Sequence, residues 1–180
     1  MLMARWHRSG TTRVGSYSAF DVFSHDVHPE GHAPKRIHTF ETPSDWCNVI
    51  PITANNELVL IRLQRFGIDA QSLEIPGGLI DPGEEPLVAA RRELREETGY
   101  DSDDVKPLGV VHANPALQPT RLHMFVARNC RPIAGGQSLD DLEDCEVILM
   151  PFDRADELFR EGKITHALIW TAFQALRLQR

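Results

Sequence analysis

Apolar residues along the chain form short runs that are typical of buried strands. Residues 47–53 (CNVIPIT) and 58–65 (LVLIRLQR) predict two such strands, joined by a turn at Asn55 and Asn56. Residues 72–78 (SLEIPGG) predict a third strand that ends at a Pro-Gly-Gly break. Three more strands are predicted at residues 105–113, 121–130 and 145–152. The central part of the chain therefore predicts a sheet.

A helical period interrupts the strands between about Glu85 and Thr98. Pro86 is tolerated in the first turn of a helix, and Gly99 stands where a left-handed C-terminal cap is expected. The buried stripe of this helix is predicted to comprise Leu87, Ala90 and Leu94.

Two further helices are predicted at the end of the chain. Residues 153–162 start at a candidate cap, Asp153, and stop at Gly162. The last helix starts at Thr165 and is predicted to bury Leu168, Ile169, Ala172, Phe173 and Leu176. Helices inside and after a strand-rich region predict an α/β protein with a mixed sheet covered by helices.

The first 44 residues differ from the rest because their strand-like segments are polar and aromatic. Residues 14–28 and 35–42 predict an antiparallel β-hairpin around the turn residues 29–34. Because a two-stranded unit alone is marginal in water, we expect it to pack on something larger. The chain is therefore divided into an extension, residues 1–44, and a main domain, residues 45–180.

Composition and charge narrow the possible functions. The net charge of −7 argues against non-specific nucleic-acid binding, which needs a basic surface. Three scattered cysteines predict reduced thiols, and we expect a soluble cytoplasmic protein because no signal peptide or membrane span is evident. Five histidines before position 39 have no recognisable metal-ligand spacing, which favours a solvated hairpin over a zinc site.

Three glutamates in the segment RRELREETGY are the candidate chemistry. On a helix, Glu93, Glu96 and Glu97 share a face, and like charges at this spacing cost a few tenths of a kcal/mol per pair, about 0.2–0.5. A solvated acidic helix face is the simpler explanation, because glutamate is a good helix former. The alternative is a site for Mg²⁺, which prefers carboxylate, carbonyl and water ligands.

A longer pattern favours the metal site. From Gly78 the chain has five residues, Glu84, seven residues and then RELREETGY, residues 92–100. This resembles the Nudix box, G-x5-E-x7-R-E-U-x-E-E-x-G-U with U bulky and apolar, with Tyr100 a somewhat polar choice at the last position. The resemblance implies a Nudix-type α/β/α sandwich with a mixed sheet, preceded here by the N-terminal hairpin.

The resemblance also implies a reaction and a ligand set. Nudix hydrolases cleave a nucleoside diphosphate linked to another moiety, with Mg²⁺ or alternatively Mn²⁺ at the diphosphate. Glu93 and Glu97 would be the central ligands, with Glu96 in the cluster. Glu84 would support the helix and a further metal, and Gly77 could offer its carbonyl oxygen. The neighbouring Arg92 and Arg95 could orient or partly neutralise the carboxylates.

The flanking sequence is similar to that of ADP-ribose pyrophosphatases and related nucleoside diphosphate sugar hydrolases. The positions of Arg65 and Glu74 lie near the substrate in that subfamily, although a solvated arginine is an equal alternative for Arg65. Arg121 could grip a phosphate or pair with an acidic neighbour. Pro115 matches a subfamily proline, but ANPA replaces the usual Ser-Pro-Gly, so the sugar stays open.

A catalytic base in this subfamily often comes from a late acidic loop. In LDDLEDCEV the resemblance favours Glu143, with Asp141 two residues earlier, and Glu96 is the third catalytic candidate. A solvated mobile loop would have the same composition.

Extra N-terminal strands form a homodimer in the subfamily and complete its nucleoside pocket. Aromatic faces accept any base, so Tyr17, Phe20, Phe23 and Trp46 could stack on one, or could serve only in packing. The sequence thus predicts a homodimeric Mg²⁺-dependent pyrophosphatase for ADP-ribose or another nucleoside diphosphate sugar, releasing a nucleoside monophosphate and a sugar phosphate. A hydrolase of dinucleoside polyphosphates or capped RNA, or a non-catalytic ADP-ribose-binding module, is the alternative.

Overall fold

The structure, a computed structural model, describes residues 5–139 and 144–179. The chain folds into two compact units. The smaller unit comprises the described residues up to Asp45 together with His112–Arg121. The larger unit comprises Trp46–Val111 and the described part of Leu122–Arg180.

The smaller unit contains an antiparallel sheet of three strands. These are β1 (Trp6–Ser16), β2 (Asp21–Pro29) and β3 (Lys35–Glu41), in the order β1-β2-β3. The antiparallel extension is confirmed, but residues 14–28 are not one strand. The backbone N–H of Tyr17 donates to the carbonyl of Phe20 at 3.0 Å. This bond closes a turn that separates β1 from β2, so the extension has three strands.

The larger unit is built on a sheet of eight strands. The main path is β11-β5-β4-β10-β8, with β6 on β5, β7 on β4 and β9 on β10. The strands β4 and β10 run parallel, whereas β4 pairs antiparallel with β5 and β7, so the mixed sheet is confirmed. The bounds of the strands are β4 (Trp46–Thr53), β5 (Glu57–Arg65), β6 (Ala70–Glu74), β7 (Gly77–Leu79), β8 (Tyr100–Asp101), β9 (Asp104–His112), β10 (Arg121–Pro132) and β11 (Cys145–Pro151).

Alternation along β4 divides the core into two layers. Val49 packs with Ala90 and Leu94 of helix α1 (Pro86–Thr98), on one face of the sheet. Ile50 and its neighbours pack with Phe173 and other residues of helix α3 (Ala167–Leu178) on the opposite face. Helix α2 (Ala155–Arg160) also lies on the α3 side. The predicted α/β/α sandwich is therefore confirmed.

The C-terminal helices start later than the sequence predicts. A short 3₁₀ turn at Phe152–Arg154 precedes α2. Asp153 does not cap α2, and its carboxylate instead accepts a hydrogen bond from the side chain of Asn56 at 3.2 Å. Helix α3 begins after His166, whose ring nitrogen Nδ1 accepts from the backbone N–H of Leu168 at 3.2 Å. This side-chain cap replaces the predicted start at Thr165.

Helix α1 has the predicted ends but not the predicted buried face. Gly99 is left-handed, with φ of 70°, and its N–H donates to the carbonyl of Arg95. Leu87, however, is 39% exposed, while Glu93 and Glu97 are only 8% and 6% exposed. The apolar stripe is narrower than predicted because part of the buried face of α1 consists of carboxylates.

None of the helices in residues 5–139 and 144–179 is long and apolar enough to cross a membrane. Cys47, Cys130 and Cys145 are free and buried. Burial raises the pKa of the Cys47 thiol to about 12, so this thiol stays protonated at neutral pH.

Candidate functional site

A pair of glycines lets strand β7 come very close to strand β4 and to helix α1. A Cβ on Gly78 would overlap the carboxylate of Glu93, and a Cβ on Gly77 would lie 2.8 Å from the Cα of Asn48. Any larger residue would therefore push the backbone away from both neighbours. The Pro-Gly-Gly break predicted from the sequence thus brings a strand backbone against the acidic helix.

Glu97 joins the helix to this backbone. The N–H of Gly77 donates to Oε2 of Glu97 at 2.8 Å. A buried carboxylate needs such donors, because taking an ionised group out of water is costly. The bond places the main chain of Gly77 beside Glu97, and their part in one ligand set stays a prediction.

Arg92 joins three of the carboxylates. Its guanidinium donates to Glu84 at 3.1 and 3.2 Å, to Glu93 at 2.9 Å and to Glu96 at 3.0 Å. It also donates to the carbonyl of Leu79 at 2.9 Å. The hydrogen bonds to Glu84 are the largest cause of a raised pKa of Arg92, and Arg92 in turn holds the pKa of Glu84 below its ordinary value.

The charges in this cluster do not balance. The carboxyl groups of Glu84, Glu93 and Glu96 share the one guanidinium of Arg92. Arg95, which the sequence also suggested as a neutralising residue, instead lies 3.7 Å from Asp101. Within the part of the chain that the structure describes, no three acidic, histidine or cysteine residues already converge on one point.

The donor set nevertheless fits a divalent cation of the Mg²⁺ type. All the side chains in the cluster offer hard oxygen ligands, as Mg²⁺ requires. Gly78 has no side chain that would fill the space beside Glu93. An acidic excess held at a backbone cradle is an arrangement that a divalent cation would stabilise.

A pocket of about 340 Å³ ends at the same glycine pair. Small-molecule sites have volumes from about 300 Å³ upward. Its walls combine apolar and polar residues with main chain. The apolar walls are formed by Trp46, Ile75, Leu79, Leu122, Leu168 and Ile169, and the polar lining by Asn48, Arg65, Glu74 and His166.

Arg65 and Glu74 form a bidentate ion pair in this pocket. The guanidinium donates to the two carboxylate oxygens at 2.9 and 2.8 Å. Burial is the largest influence and opposes ionisation of Glu74, but the hydrogen bonds and charge of Arg65, together with Ser72 and His166, leave the pKa of that carboxyl below its ordinary value. The Glu74 side chain is 5% exposed and that of Arg65 is 45% exposed. Arg65 is therefore the more accessible member of the ion pair.

Two polar residues of the pocket were not predicted from the sequence. His166 caps α3, because its Nδ1 accepts a hydrogen bond from the backbone N–H of Leu168. Asn48 is polar yet 6% exposed, inside the apolar run of β4. A polar residue in a run of this kind was the available signal for Asn48, whereas His166 gave none that separates it from an ordinary helix cap.

The structure brings together eight of the eleven predicted site residues in one unit: Trp46, Arg65, Glu74, Gly77, Glu84, Glu93, Glu96 and Glu97. Arg121 belongs to the other unit, where its side chain lies 2.7 Å from the Asp45 carboxylate. Asp141 and Glu143 lie outside the described residues. The roles of all these residues remain predictions.

The segment before Asp140 is attached to the end of helix α1. The N–H of Ser138 donates to the carbonyl of Glu96 at 2.9 Å, and the Gln137 amide donates to the carbonyl of Glu97 at 2.6 Å. The Gln137 amide also donates to the carbonyl of Cys145 at 3.1 Å. The described flanks of the acidic loop are therefore fixed beside the two glutamates.

Comparison with known proteins identifies the class. A family model described as "NUDIX domain" matches residues 46–168. The chain therefore belongs to the Nudix family, as its sequence motif predicted. It is a Nudix pyrophosphatase, a hydrolase.

The chain is also similar to several curated proteins. The chain is 32% identical over 131 residues to "Methanol dehydrogenase activator" of Bacillus methanolicus, covering 73% of this chain and 71% of the relative. It is 27% identical over 168 residues to "ADP-ribose pyrophosphatase" of Bacillus subtilis, covering 93% and 90%. It is 36% identical over 121 residues to "GDP-mannose pyrophosphatase" of Escherichia coli K12, covering 62% of each.

A solved structure supports the fold. The chain is similar to a crystal structure of an "ADP compounds hydrolase" with a TM-score of 0.88, over 99% of this chain and 96% of that one. The two sequences are 23% identical, so this similarity is evidence for the fold alone.

Proposed function

We propose that the protein hydrolyses the diphosphate bond of nucleoside diphosphate sugars, with ADP-ribose as the first candidate substrate. The observation that supports this most is the meeting of the pocket with the acidic helix at Gly77 and Gly78. A substrate in the pocket would thereby place a diphosphate beside Glu93 and Glu97. Two relatives named for ADP-ribose and GDP-mannose favour the same class of substrate.

Magnesium is the proposed cofactor, with manganese as an alternative. Glu93 and Glu97 would be its central ligands, Glu96 a third, Glu84 a supporting one, and Gly77 would offer its carbonyl. When bound, the cation supplies charge compensation for the diphosphate and activation of water. Phosphoryl transfer depends mainly on such positioning and charge compensation.

The chain itself would hold the ligands and move the proton. Gly77 keeps Glu97 oriented through its N–H, and Arg92 limits repulsion among Glu84, Glu93 and Glu96. Glu96, whose side chain is 40% exposed, is the described carboxylate most open to solvent in the cluster. We propose that Glu96, or Glu143 or Asp141 of the acidic loop, accepts the proton of the attacking water as one phosphoanhydride bond breaks.

Substrate positioning is assigned to the pocket residues. Arg65, held by Glu74, presents the positive charge that a diphosphate sugar requires. Trp46 offers an apolar face for a base or sugar. Arg121 remains a proposed phosphate contact, and binding there would have to compete with its ion pair to Asp45.

The quaternary structure remains a proposal as well. We propose a homodimer built through residues 1–44, which place Trp6, Tyr17 and Ile37 at the surface of their own unit, 59%, 63% and 42% exposed. A cytoplasmic location is also a prediction, which three free cysteines favour. Light scattering during size-exclusion chromatography would measure the mass, and a monomer would contradict the dimer.

The test is a substrate screen with a coupled phosphatase. ADP-ribose, GDP-mannose and a dinucleoside polyphosphate would be incubated with enzyme and Mg²⁺, and phosphate would be measured after the phosphatase has cleaved the released monoesters. We expect the two diphosphate sugars to be turned over, giving a nucleoside monophosphate and a sugar phosphate. Preference for the polyphosphate, or tight ADP-ribose binding without turnover, would contradict the proposal.

A further inference from the structure

Asn48 has a buried amide oxygen that the fold does not use. The residue is only 6% exposed, and its Oδ1 has no hydrogen-bond partner among the described residues. Buried polar groups in proteins are nearly always hydrogen-bonded, because leaving one unpaired is unfavourable. In the described part of the larger unit, no other buried side-chain oxygen or nitrogen is in this condition.

The position of Asn48 in β4 directs the side chain towards the pocket. Trp46 and Ile50, two residues on either side, pack into the core layer that α3 covers, and Ile169 of that layer lines the pocket. Because side chains alternate along a strand, Asn48 lies on the same face. It is itself a lining residue of the pocket.

The strand register places Asn48 directly opposite Gly77. Gly77 is the residue whose N–H holds Glu97, so Asn48 stands beside the proposed position of the diphosphate. A group that reaches Oδ1 must therefore be attached close to the diphosphate. The sugar hydroxyls of a nucleoside diphosphate sugar meet this condition better than the amino group of its base.

We propose that Asn48 is a specificity-determining residue, whose Oδ1 accepts a hydrogen bond from a sugar hydroxyl adjoining the diphosphate. This inference rests on the proposed function and deepens it. It explains why an unpaired amide is kept in the core: the substrate supplies the missing donor. A site that hydrogen-bonds a substrate group discriminates against analogues that lack it, because its own polar atom is then left unpaired.

The test compares Asn48→Leu with wild type on paired substrates. Leucine has the same branching at Cγ but no hydrogen-bond acceptor. ADP-ribose would be compared with deoxy analogues of each ribose and with the inosine analogue, which lacks the 6-amino group. We expect wild type to favour ADP-ribose over one deoxy analogue about tenfold in kcat/KM, and Asn48→Leu to treat the two alike.

The melting temperature, Tm, is a second readout. If Asn48 had only a structural role, its substitution would lower Tm. Removing an unpaired buried amide should leave Tm unchanged or raise it. The matched control is Thr53→Val in the same strand, which removes a buried hydroxyl that donates to the Glu57 carboxylate at 3.1 Å. We expect Thr53→Val to lower Tm and to retain the wild-type discrimination.

Binding of ADP-ribose in EDTA separates this inference from the proposed function. We expect Asn48→Leu to bind about tenfold more weakly than wild type, while the deoxy analogue binds both equally. If Asn48→Leu lost only the discrimination between ADP-ribose and the inosine analogue, the assignment of Asn48 to a sugar hydroxyl would be overturned. The inference would be overturned if Asn48→Leu kept the wild-type discrimination between substrates or the wild-type affinity for ADP-ribose. It would also be overturned if wild type did not bind ADP-ribose, or if Asn48→Leu had a lowered Tm and lost activity equally on every substrate. Absence of turnover with intact, Asn48-dependent binding would instead overturn the proposed function.

Discussion

Helices α1 and α3 have similar lengths, 13 and 12 residues, and cover opposite faces of one sheet, yet they bury different chemistry. Helix α3 buries only apolar residues: Ile169, Ala172, Phe173 and Leu176. Helix α1 buries Glu93 and Glu97 and exposes half of Val88. The difference indicates that α3 is held by hydrophobic packing, whereas α1 is held partly by ionic and main-chain bonds that belong to the site.

The two helices should therefore respond differently to the same kind of change. An apolar deletion in the part of α3 that does not line the pocket, such as at Phe173, should act on stability alone. Neutralising a carboxylate in α1 should act mainly on turnover, because that charge is already unfavourable to the empty protein. We expect the effects of Phe173→Ala, Glu97→Gln and Glu84→Gln to decrease in this order.

Phe173→Ala should produce the largest loss of stability. Phe173 is 2% exposed, and its ring centroid lies 4.9 Å from that of Phe159. Truncation should lower the free energy of unfolding by about 3–5 kcal/mol, because it removes buried area and leaves a cavity. Urea denaturation would measure this, and kcat per folded molecule should not change. A loss of kcat in fully folded protein would break the contrast.

Glu97→Gln should have nearly as large an effect, but on turnover. Glutamine keeps the shape and can still accept from Gly77, yet it loses the charge. We expect kcat to fall by about 10²–10³-fold, the scale of removing one preorganised electrostatic group. The matched control is Gln174→Glu, which adds a charge to the exposed face of α3 and should leave kcat unchanged. Equal rates in wild type and Glu97→Gln would refute the assignment.

Glu84→Gln should show the smallest effect, and its size should depend on pH. The pKa of Glu84 lies below its ordinary value of 4.5, chiefly because Arg92 donates to it, so the stabilisation is complete above pH 4.5. At pH 7 we expect wild type to be more stable by about 1 kcal/mol. The gap should close as pH falls through the lowered pKa. A gap that persists unchanged at pH 3 would mean that ionisation of Glu84 is not its source.

Apolar periodicity predicted α3 well because only packing determines its pattern. All four of its fully buried side chains were in the predicted set. The same rule misplaced Leu87 in α1, where the sequence serves the cluster around Arg92 as well as the core. The motif identified the glutamates, but their burial depends on the approach of Gly78, which no periodicity describes.

Other features were beyond the sequence because they depend on contacts far apart in the chain. The pocket joins β4 and β7 to the start of α3, so His166 becomes a lining residue only after folding. The sequence left two partners open for Arg121, a phosphate or an acidic neighbour. Its ion pair with Asp45 depends on the fold of the smaller unit. The turn closed by Tyr17 and Phe20 interrupts residues 14–28, which the sequence predicts as one strand-like segment.

Calorimetric titration of Mg²⁺ into metal-free protein tests the central claim most directly, because it measures the cation at the acidic cluster without substrate. The account predicts that wild type binds Mg²⁺ and that Glu93→Gln, with the same fold by circular dichroism, binds at least about tenfold more weakly. Equal affinity in the two proteins, or no binding by an active wild type, would contradict the claim that the buried carboxylates of α1 hold the metal.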